Sequence, residues 1–310
     1  MFRPEGVYPA MLTPFNDDGT PNLPELRRIS EFGIQKGLMG LFPVSSIGEG
    51  VHMSFEEKCA CMDAVIGQAA GRVPVTPGVV ASTPQESVRL AAHAAKAGAS
   101  GVVLTPPFYY KPGQPVVERF FEYIIERVEL PVILYNIPMF ASPVGYDTVK
   151  RLVRYKNVVG MKDSSGSLVD FLHFMDKIRI AGESTNMLTG REEMLLSTLV
   201  MGGKGCMTAT AGILPEVMVG IWDKYHAGDM EGARKLQEAV LVIIRTMFAV
   251  EIPVGFKLAM ELRGFKMGPP RLPLSHADAF QVTTVRSRLR VVLEPLLKSI
   301  GAETRWTEDA

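Results

Sequence analysis

The amino-acid sequence predicts an α/β fold of the (β/α)8 TIM-barrel class with a C-terminal helical extension. Three observations lead to this prediction. Short apolar runs recur along the chain, a segment with helical periodicity follows each of them, and the alternation stops near residue 228. A chain of 310 residues, 47% of them apolar, is long enough to fill the core of one large barrel.

Eight apolar runs are the strand candidates, and each is short enough for a buried strand of a parallel sheet. They span residues 7–12, 38–42, 73–78, 101–105, 131–136, 157–162, 186–190 and 203–208, and the seventh has the weakest strand character. Segments with helix-start signals lie between them, at 23–36, 54–69, 83–97, 116–128, 146–155, 167–177, 191–201 and 214–226. Eight such units in series predict a closed barrel with its chemistry at the carboxyl ends of the strands.

Two parts of the chain are predicted, a catalytic barrel over residues 1–226 and a helical extension over residues 227–310. The extension shows no strand signal and contains two amphipathic segments, 230–248 and 277–299. A Pro/Gly-rich stretch, GFKMGPPRLPL, separates them. We expect both helices to pack on the barrel.

The charge and cysteine content exclude several classes of protein. The 33 Lys and Arg balance the 33 Asp and Glu, which argues against nucleic acid or an anionic membrane as a partner. The three cysteines are an odd number without CxxC spacing, so neither a disulfide framework nor a zinc site is expected. No signal-peptide pattern and no run of 18 apolar residues is present. We therefore expect a soluble cytoplasmic protein.

Two loops that follow strand candidates carry unusual residues. PVSSIGEG at 43–50 places two hydroxyls and two glycines beside Glu49, and N–H groups in such a turn can converge on a carboxylate or phosphate, although Gly/Ser-rich turns are also common in ordinary loops. PPFYYKPG at 106–113 contains three consecutive aromatic residues. Exposed aromatic clusters of this kind indicate a pocket or a subunit contact.

Two strand candidates end in residues that can transfer protons or form covalent bonds. Tyr135 shares a strand face with Ile133, and its phenol is either a proton-transfer group or an ordinary core hydroxyl. Lys162 shares a face with Gly160, whose missing side chain we expect to leave space around the amine. A desolvated lysine can form a Schiff base with a carbonyl substrate, whereas a lysine that merely ends a strand in solvent cannot.

The remaining patterns indicate neither a metal nor a coenzyme. NDDG at 16–19 lacks most ligands of a calcium loop and is a typical turn. The five histidines are far apart in the sequence, so no metal site and no cofactor are predicted. The glycine-rich stretch 202–212 suggests a phosphate loop or, alternatively, the eighth strand of the barrel.

The combination of these motifs resembles the dihydrodipicolinate synthase / N-acetylneuraminate lyase family of class I, pyruvate-dependent aldolases. SSIGEG, GVVLTPPFYYKP, PVILYNIP and NVVGMKDSSG occur in the order and at the spacing of that family, and the similarity covers essentially the whole chain. The resemblance implies a carbon–carbon lyase that acts on a small 2-oxo acid, pyruvate, without a cofactor.

The resemblance also implies roles for four catalytic residues. Lys162 matches the lysine that forms the Schiff base, and Tyr135 matches the tyrosine that shuttles protons. Ser46 matches a hydroxyl residue of the proton relay. Tyr109 matches a tyrosine that crosses a dimer interface to complete the relay of a neighbouring subunit, which implies a homodimer or homotetramer.

Substrate-binding positions follow from the same resemblance. The N–H groups of Ser46 and Ile47 would hold the pyruvyl carboxylate, and Gly190 and Met207 align with backbone positions around the keto acid. The lack of a threonine at Ile47 departs from the common pattern.

Two further features concern the distal half of the substrate. The synthases of the family usually carry an arginine after the YN-P motif, and residues 139–142 here contain no basic residue. Arg191 and Glu192 occupy the region that contacts substrate hydroxyls in sialic acid lyases, and Arg191 could instead bind a distal carboxylate. Alternatively, these charges simply begin a solvated helix.

The function predicted from the sequence is therefore a Schiff-base-forming, pyruvate-dependent lyase or aldolase. Its KDSSG motif favours a 2-oxo-3-deoxy sugar acid or a 4-hydroxy-2-oxo acid as the compound that is cleaved or formed. The alternative within the family is 4-hydroxy-tetrahydrodipicolinate synthase, which uses pyruvate and aspartate semialdehyde. An alternative of another class is a phosphate-ligand-binding barrel without aldol chemistry.

Overall fold

The computed structural model describes residues 2–302, and its centre is one parallel sheet. The strands lie in the order β1–β6–β5–β4–β3–β2. Their bounds are Gly6–Pro9 for β1, Val102–Leu104 for β2, Val132–Asn136 for β3, Val158–Asp163 for β4, Asn186–Thr189 for β5 and Gly205–Thr208 for β6.

Two short segments close this sheet into a barrel. Segments 41–42 and 75–78 bridge to each other and to the two edge strands. The parallel bridges pair Ala10 with Phe42, Leu41 with Val75 and Gly78 with Val103. The predicted eight-membered barrel is therefore confirmed, although its second and third members are shorter than the predicted strands. Pro74 and Pro77 explain the difference, because proline has no N–H to donate to the ladder.

Helices lie in all eight of the segments predicted after the barrel strands, and a short helix directly after β6 was not predicted. They are α1 (Leu23–Gln35), α2 (Phe55–Ala69), α3 (Pro84–Ala97), α4 (Gln114–Ile125), α5 (Tyr146–Leu152), α6 (Leu168–Ile180), α7 (Leu195–Val200), α8 (Ala209–Ile213) and α9 (Pro215–His226). The segment predicted as one helix at 191–201 instead begins with a 3-10 turn, Glu192–Met194, before α7. Within residues 2–302, no helix is long and apolar enough to cross a membrane.

Side-chain caps fix where several of these helices begin. Ser54 and Glu57 form a reciprocal capping box at the start of α2. Thr83 and Ser167 accept backbone N–H bonds in the same way at the starts of α3 and α6. Local sequence therefore sets these helix starts, just beyond the loops that carry the site.

In the described residues after the barrel there are three helices, whereas the sequence predicted two. They are α10 (Met230–Met247), α11 (Val254–Leu262) and α12 (His276–Ser299). The unpredicted helix α11 is buried along almost its whole length. A helix that is buried on almost every side lacks the alternation of exposed and buried faces on which the prediction depended.

The core has an inner and an outer layer. The inner layer fills the barrel with side chains that alternate along the strands, namely Tyr8, Ala10, Phe42, Val103, Ile133, Tyr135, Ile137, Ala141, Leu188 and Met207. The outer layer packs the opposite faces of the strands against the helices. The inner layer ends in polar groups at the carboxyl ends of β3 and β4, where the candidate site lies.

Candidate active site

Lys162 lies inside the barrel at the carboxyl end of β4. It pairs in register with Tyr135 of β3, and only 3% of its surface is exposed. Its Nζ lies 4.1 Å from the centroid of the Tyr135 ring and 5.0 Å from that of Phe42. Within residues 2–302 it forms no ion pair. The alternative of a solvated, strand-ending lysine is therefore wrong.

The glycine that makes room for Lys162 is Gly190, and the expectation for Gly160 is wrong. A Cβ at Gly160 would meet the Pro4 ring at 2.6 Å, at a distance from the amine. A Cβ at Gly190 would lie 2.6 Å from Lys162 Cε and 1.9 Å from Ser164 Oγ. The lysine side chain therefore depends on the absence of a side chain just after β5.

Ser46 and Tyr135 form a hydroxyl pair at the mouth of the barrel. Ser46 Oγ lies 3.2 Å from the Tyr135 hydroxyl, and either group can donate. In the described part of the chain, the N–H groups of Ser46 and Ile47 donate no hydrogen bond. The loop thus presents two unbonded N–H donors and one hydroxyl beside the lysine. Such a group of donors can bind an anion such as a carboxylate.

A buried polar pair, which the sequence analysis did not single out, joins the last residues of β3 and β4. Asn136 Nδ2 donates to Asp163 Oδ1 at 2.8 Å, and the Val144 N–H donates to Asn136 Oδ1 at 3.0 Å. Burial raises the pKa of Asp163, and hydrogen bonds from Ser165 and Asn136 partly offset this effect. The sequence could have indicated this pair, because Asn136 directly follows Tyr135, Asp163 directly follows Lys162, and both were at the ends of strand candidates.

Two cavities with shared lining residues lie at this end of the barrel, and Lys162 lines the smaller one. Eight of the nine predicted site residues line a chamber of about 70 Å³: Ser46, Ile47, Tyr135, Lys162, Gly190, Arg191, Glu192 and Met207. A wider cavity of about 630 Å³ adjoins it and shares Ser46, Tyr135 and Phe140 with it. The barrel therefore brings the predicted residues together around one concave space.

Arg191 and Glu192 also line the small chamber. Glu192 is buried, accepts the Thr210 N–H at 3.3 Å, and has a pKa that burial raises above the usual range of a glutamate. The Arg191 guanidinium lies 3.1 Å from Glu193 Oε1 and 5.2 Å from the Phe248 ring centroid. The alternative of a solvated helix start is therefore wrong for Glu192.

Tyr109 is the predicted site residue that does not reach the chamber. Its side chain is 88% exposed and touches the Tyr110 ring, with centroids 5.0 Å apart. Its φ of 73° is a conformation that a non-glycine residue adopts at a cost. Phe108 packs against its own barrel and lines a cavity, so the pocket alternative for the aromatic loop holds for Phe108.

The glycines that suggested a phosphate loop serve strand packing instead. Gly205 begins β6 with a φ of 128°, and a Cβ there would lie 1.9 Å from the Gly6 carbonyl oxygen. Lys204 precedes the strand and lies 3.7 Å from Glu5. These residues are at the amino end of β6, opposite the chamber, so they do not form a phosphate cradle beside Lys162.

Comparisons with known proteins agree with this geometry. A model of the dihydrodipicolinate synthetase family matches residues 3–291. A 4-hydroxy-tetrahydrodipicolinate synthase from Methanosphaerula palustris is 34% identical over 89% of this chain and 94% of its own. Dihydrodipicolinate synthase from Aquifex aeolicus superimposes with a TM-score of 0.87 at 25% identity, covering 97% of this chain and 100% of that one.

A further solved structure is that of YagE, a prophage protein from E. coli K12 of the dihydrodipicolinic acid synthase family, in complex with pyruvate. It superimposes with a TM-score of 0.84 at 29% identity, covering 92% of this chain and 98% of that one. Fold, site and similarities together define a class I aldolase, an enzyme that makes or breaks carbon–carbon bonds on a TIM barrel. The chain belongs to the dihydrodipicolinate synthetase family, as the motifs predicted.

Proposed function

We propose that Lys162 condenses with pyruvate and that the enzyme then makes or breaks the bond between pyruvate C3 and an aldehyde carbon. The amine attacks the keto carbon, water leaves, and the resulting imine withdraws electrons from C3. Loss of a C3 proton gives an enamine, which attacks the aldehyde carbon while the aldehyde oxygen takes up a proton. Water then hydrolyses the imine and releases the 2-oxo acid and the free amine; cleavage runs the same steps in reverse. The buried amine of Lys162 beside Tyr135 is the observation that carries this proposal.

Tyr135 and Ser46 are the proposed proton relay. The two hydroxyls are 3.2 Å apart, and the Tyr135 ring lies 4.1 Å from the amine. The two hydroxyls can therefore take up the proton that leaves C3, and they can deliver a proton to the carbinolamine oxygen, which leaves as water. The N–H groups of Ser46 and Ile47 would bind the carboxylate, with Gly190 and Met207 beside the keto acid.

Two classes of substrate are proposed, and they differ in the half of the molecule that lies beyond the pyruvyl group. Arg191 and Glu192 line the chamber, which favours a 2-oxo-3-deoxy sugar acid or another 4-hydroxy-2-oxo acid, whose distal groups are hydroxyls or a carboxylate. The name of the Methanosphaerula palustris relative favours aspartate semialdehyde instead. Phe140 argues against this second class, because an apolar ring lies at the chamber where a basic side chain would bind the carboxylate of that aldehyde.

Borohydride trapping tests the covalent step. Incubation with pyruvate and borohydride should reduce the imine to a stable secondary amine on the peptide that contains Lys162, as read by mass spectrometry. Lys162→Met should abolish this adduct. Lys204→Met, at the opposite end of the barrel, should leave it unchanged. A wild-type enzyme that gives no adduct on Lys162 would refute the proposal.

A substrate panel separates the two distal classes. Pyruvate release from 2-oxo-3-deoxy acids and 4-hydroxy-2-oxoglutarate should exceed condensation of pyruvate with aspartate semialdehyde in kcat/KM. The reverse order would assign the enzyme to the synthase branch.

We further propose a cytoplasmic location, a barrel over residues 1–226 with an extension over 227–310, and assembly through Tyr109. The unpaired, buried cysteines support the first of these, since such thiols are typical of a reducing compartment. The exposed rings of Tyr109 and Tyr110 support the last.

A further inference from the structure

Glu49 is a buried acidic residue that the proposed reaction does not use. It belongs to the loop that carries Ser46, and its backbone is left-handed, with a φ of 60°. Its N–H donates to the Ser46 carbonyl at 3.1 Å, so the two residues form one turn. A non-glycine residue keeps this conformation only when its surroundings hold it there.

Two groups from the C-terminal extension hold the Glu49 carboxylate. Lys257 Nζ, on α11, lies 3.0 Å from Oε1, and both side chains are almost fully buried. The Arg271 N–H donates to Oε2 at 2.7 Å. Burial lowers the pKa of Lys257, and the negative charge of Glu49 acts in the opposite direction.

The same two extension residues are themselves anchored to the barrel. Lys257 Nζ lies 4.5 Å from the ring centroid of Phe15 in the barrel, and it also donates to the carbonyl of Pro269 within the extension, at 3.0 Å. The Arg271 guanidinium pairs with Glu57 at the start of α2. The carboxylate is therefore tied to a fixed frame, and the Ser46 turn follows its position.

We propose that Glu49, held by Lys257 and the Arg271 backbone, is a positioning residue that keeps the Ser46 hydroxyl against Tyr135. The inference rests on the proposed function. Glu49 forms no hydrogen bond with Lys162 or with the Tyr135 hydroxyl, so the pair of Glu49 and Lys257 acts on the Ser46 hydroxyl only through the turn.

Exchange of the pyruvate methyl protons isolates the step that depends on Ser46. In heavy water, the Lys162 imine gives up a C3 proton to the relay, and the enamine takes back a deuteron. Hydrolysis then returns deuterated pyruvate and the free amine. NMR follows this reaction without any aldehyde, and borohydride trapping at equilibrium counts the imine separately.

Lys257→Met is the test variant, and Lys58→Met is its matched control. Lys58 is also a buried lysine paired with a glutamate, Glu86, at 3.3 Å, but it joins α2 to α3 away from the chamber. Both variants should lower the thermal unfolding temperature, because each leaves a carboxylate without its partner. Only Lys257→Met should slow exchange, by at least about 10-fold, with the trapped imine within about twofold of wild type.

The double variant Glu49→Gln with Lys257→Met separates positioning from stability. Replacing both charges should restore most of the thermal stability, because no unpaired charge remains buried. Exchange should stay slow, since the amine that fixed the turn is gone. Wild-type exchange in the double variant, or in Lys257→Met with a normal imine yield, would overturn the positioning role alone. A wild-type enzyme without an imine on Lys162 would overturn the proposed function and this role together.

Discussion

Lys162 owes its space to a glycine across the strand pair rather than to the glycine on its own strand. Gly190 follows β5, and any side chain there would collide with the lysine methylenes and with Ser164. The site therefore depends on the absence of a Cβ atom at Gly190.

Gly190→Ala should remove the imine, and Gly160→Ala is its control. Both changes insert a methyl group into an occupied space, so we expect each to cost about 1–3 kcal/mol of unfolding free energy. Only Gly190→Ala displaces the amine, and the adduct trapped from pyruvate should fall by at least about 10-fold. Equal adduct yields from the two folded variants would show that Gly190 does not control the lysine.

The sequence predicted the faces of single residues better than their neighbours. Strand alternation grouped Tyr135 with Ile133, and the structure places both in the inner layer, with Lys162 paired in register beside Tyr135. The alternation failed for Gly160, because the Pro4 ring that fills that space comes from before β1. Alternation along one strand carries no information about groups that cross the barrel. The pairing of Glu49 with Lys257 was unpredictable for the same reason.

Elements with a regular pattern were predicted, and elements without one were not. The helices α1 and α10 agree with their predicted segments because one face of each is polar. The helix α11 was missed because it is buried on almost every side. The short members at 41–42 and 75–78 were predicted too long, since apolar content does not reveal how many ladder bonds the prolines remove.

The helix α10 braces the loop that carries Glu192. Gln237 Nε2 donates to the Glu192 carbonyl at 3.1 Å, and its Oε1 accepts the Leu196 N–H at the same distance. One side chain thus satisfies two backbone groups at the start of α7.

Gln237→Met should destabilise the protein by about 1–3 kcal/mol, because it leaves buried backbone groups unsatisfied. Urea unfolding measures this loss as a lower midpoint with an unchanged slope. Gln35→Met is the control, since Gln35 is exposed and bonds only Glu31 within residues 2–302. If both variants unfold at the same urea concentration, the brace contributes nothing measurable.

Tyr109 and Tyr110 form an exposed aromatic surface on the molecule. A strained backbone and two exposed tyrosine rings point outward from the mouth of the barrel. An apolar surface of this kind normally lies in an interface, and a second copy of the chain is the partner we propose.

Tyr109→Phe should slow pyruvate proton exchange and leave assembly intact, because the ring stays and only the hydroxyl is lost. The expected loss is about 10- to 100-fold. Tyr110→Phe, which alters the neighbouring exposed ring, serves as the control and should exchange normally. Tyr109→Ala should also weaken the dimer in sedimentation velocity. A wild-type protein that sediments as a fully active monomer would contradict both expectations.

The bracing of the barrel by α10 and α11 has a consequence for the timing of synthesis. Ribosomes release a chain from its amino terminus onward. A nascent chain that stops short of α10 already contains Lys162, Tyr135 and Ser46, but it lacks Gln237 and Lys257. The lysine therefore emerges long before the residues that fix the loops around it. A growing chain holds a reactive amine in an unfinished pocket, and the loops around that amine gain the contacts of Gln237 and Lys257 only when α10 and α11 have packed against the barrel.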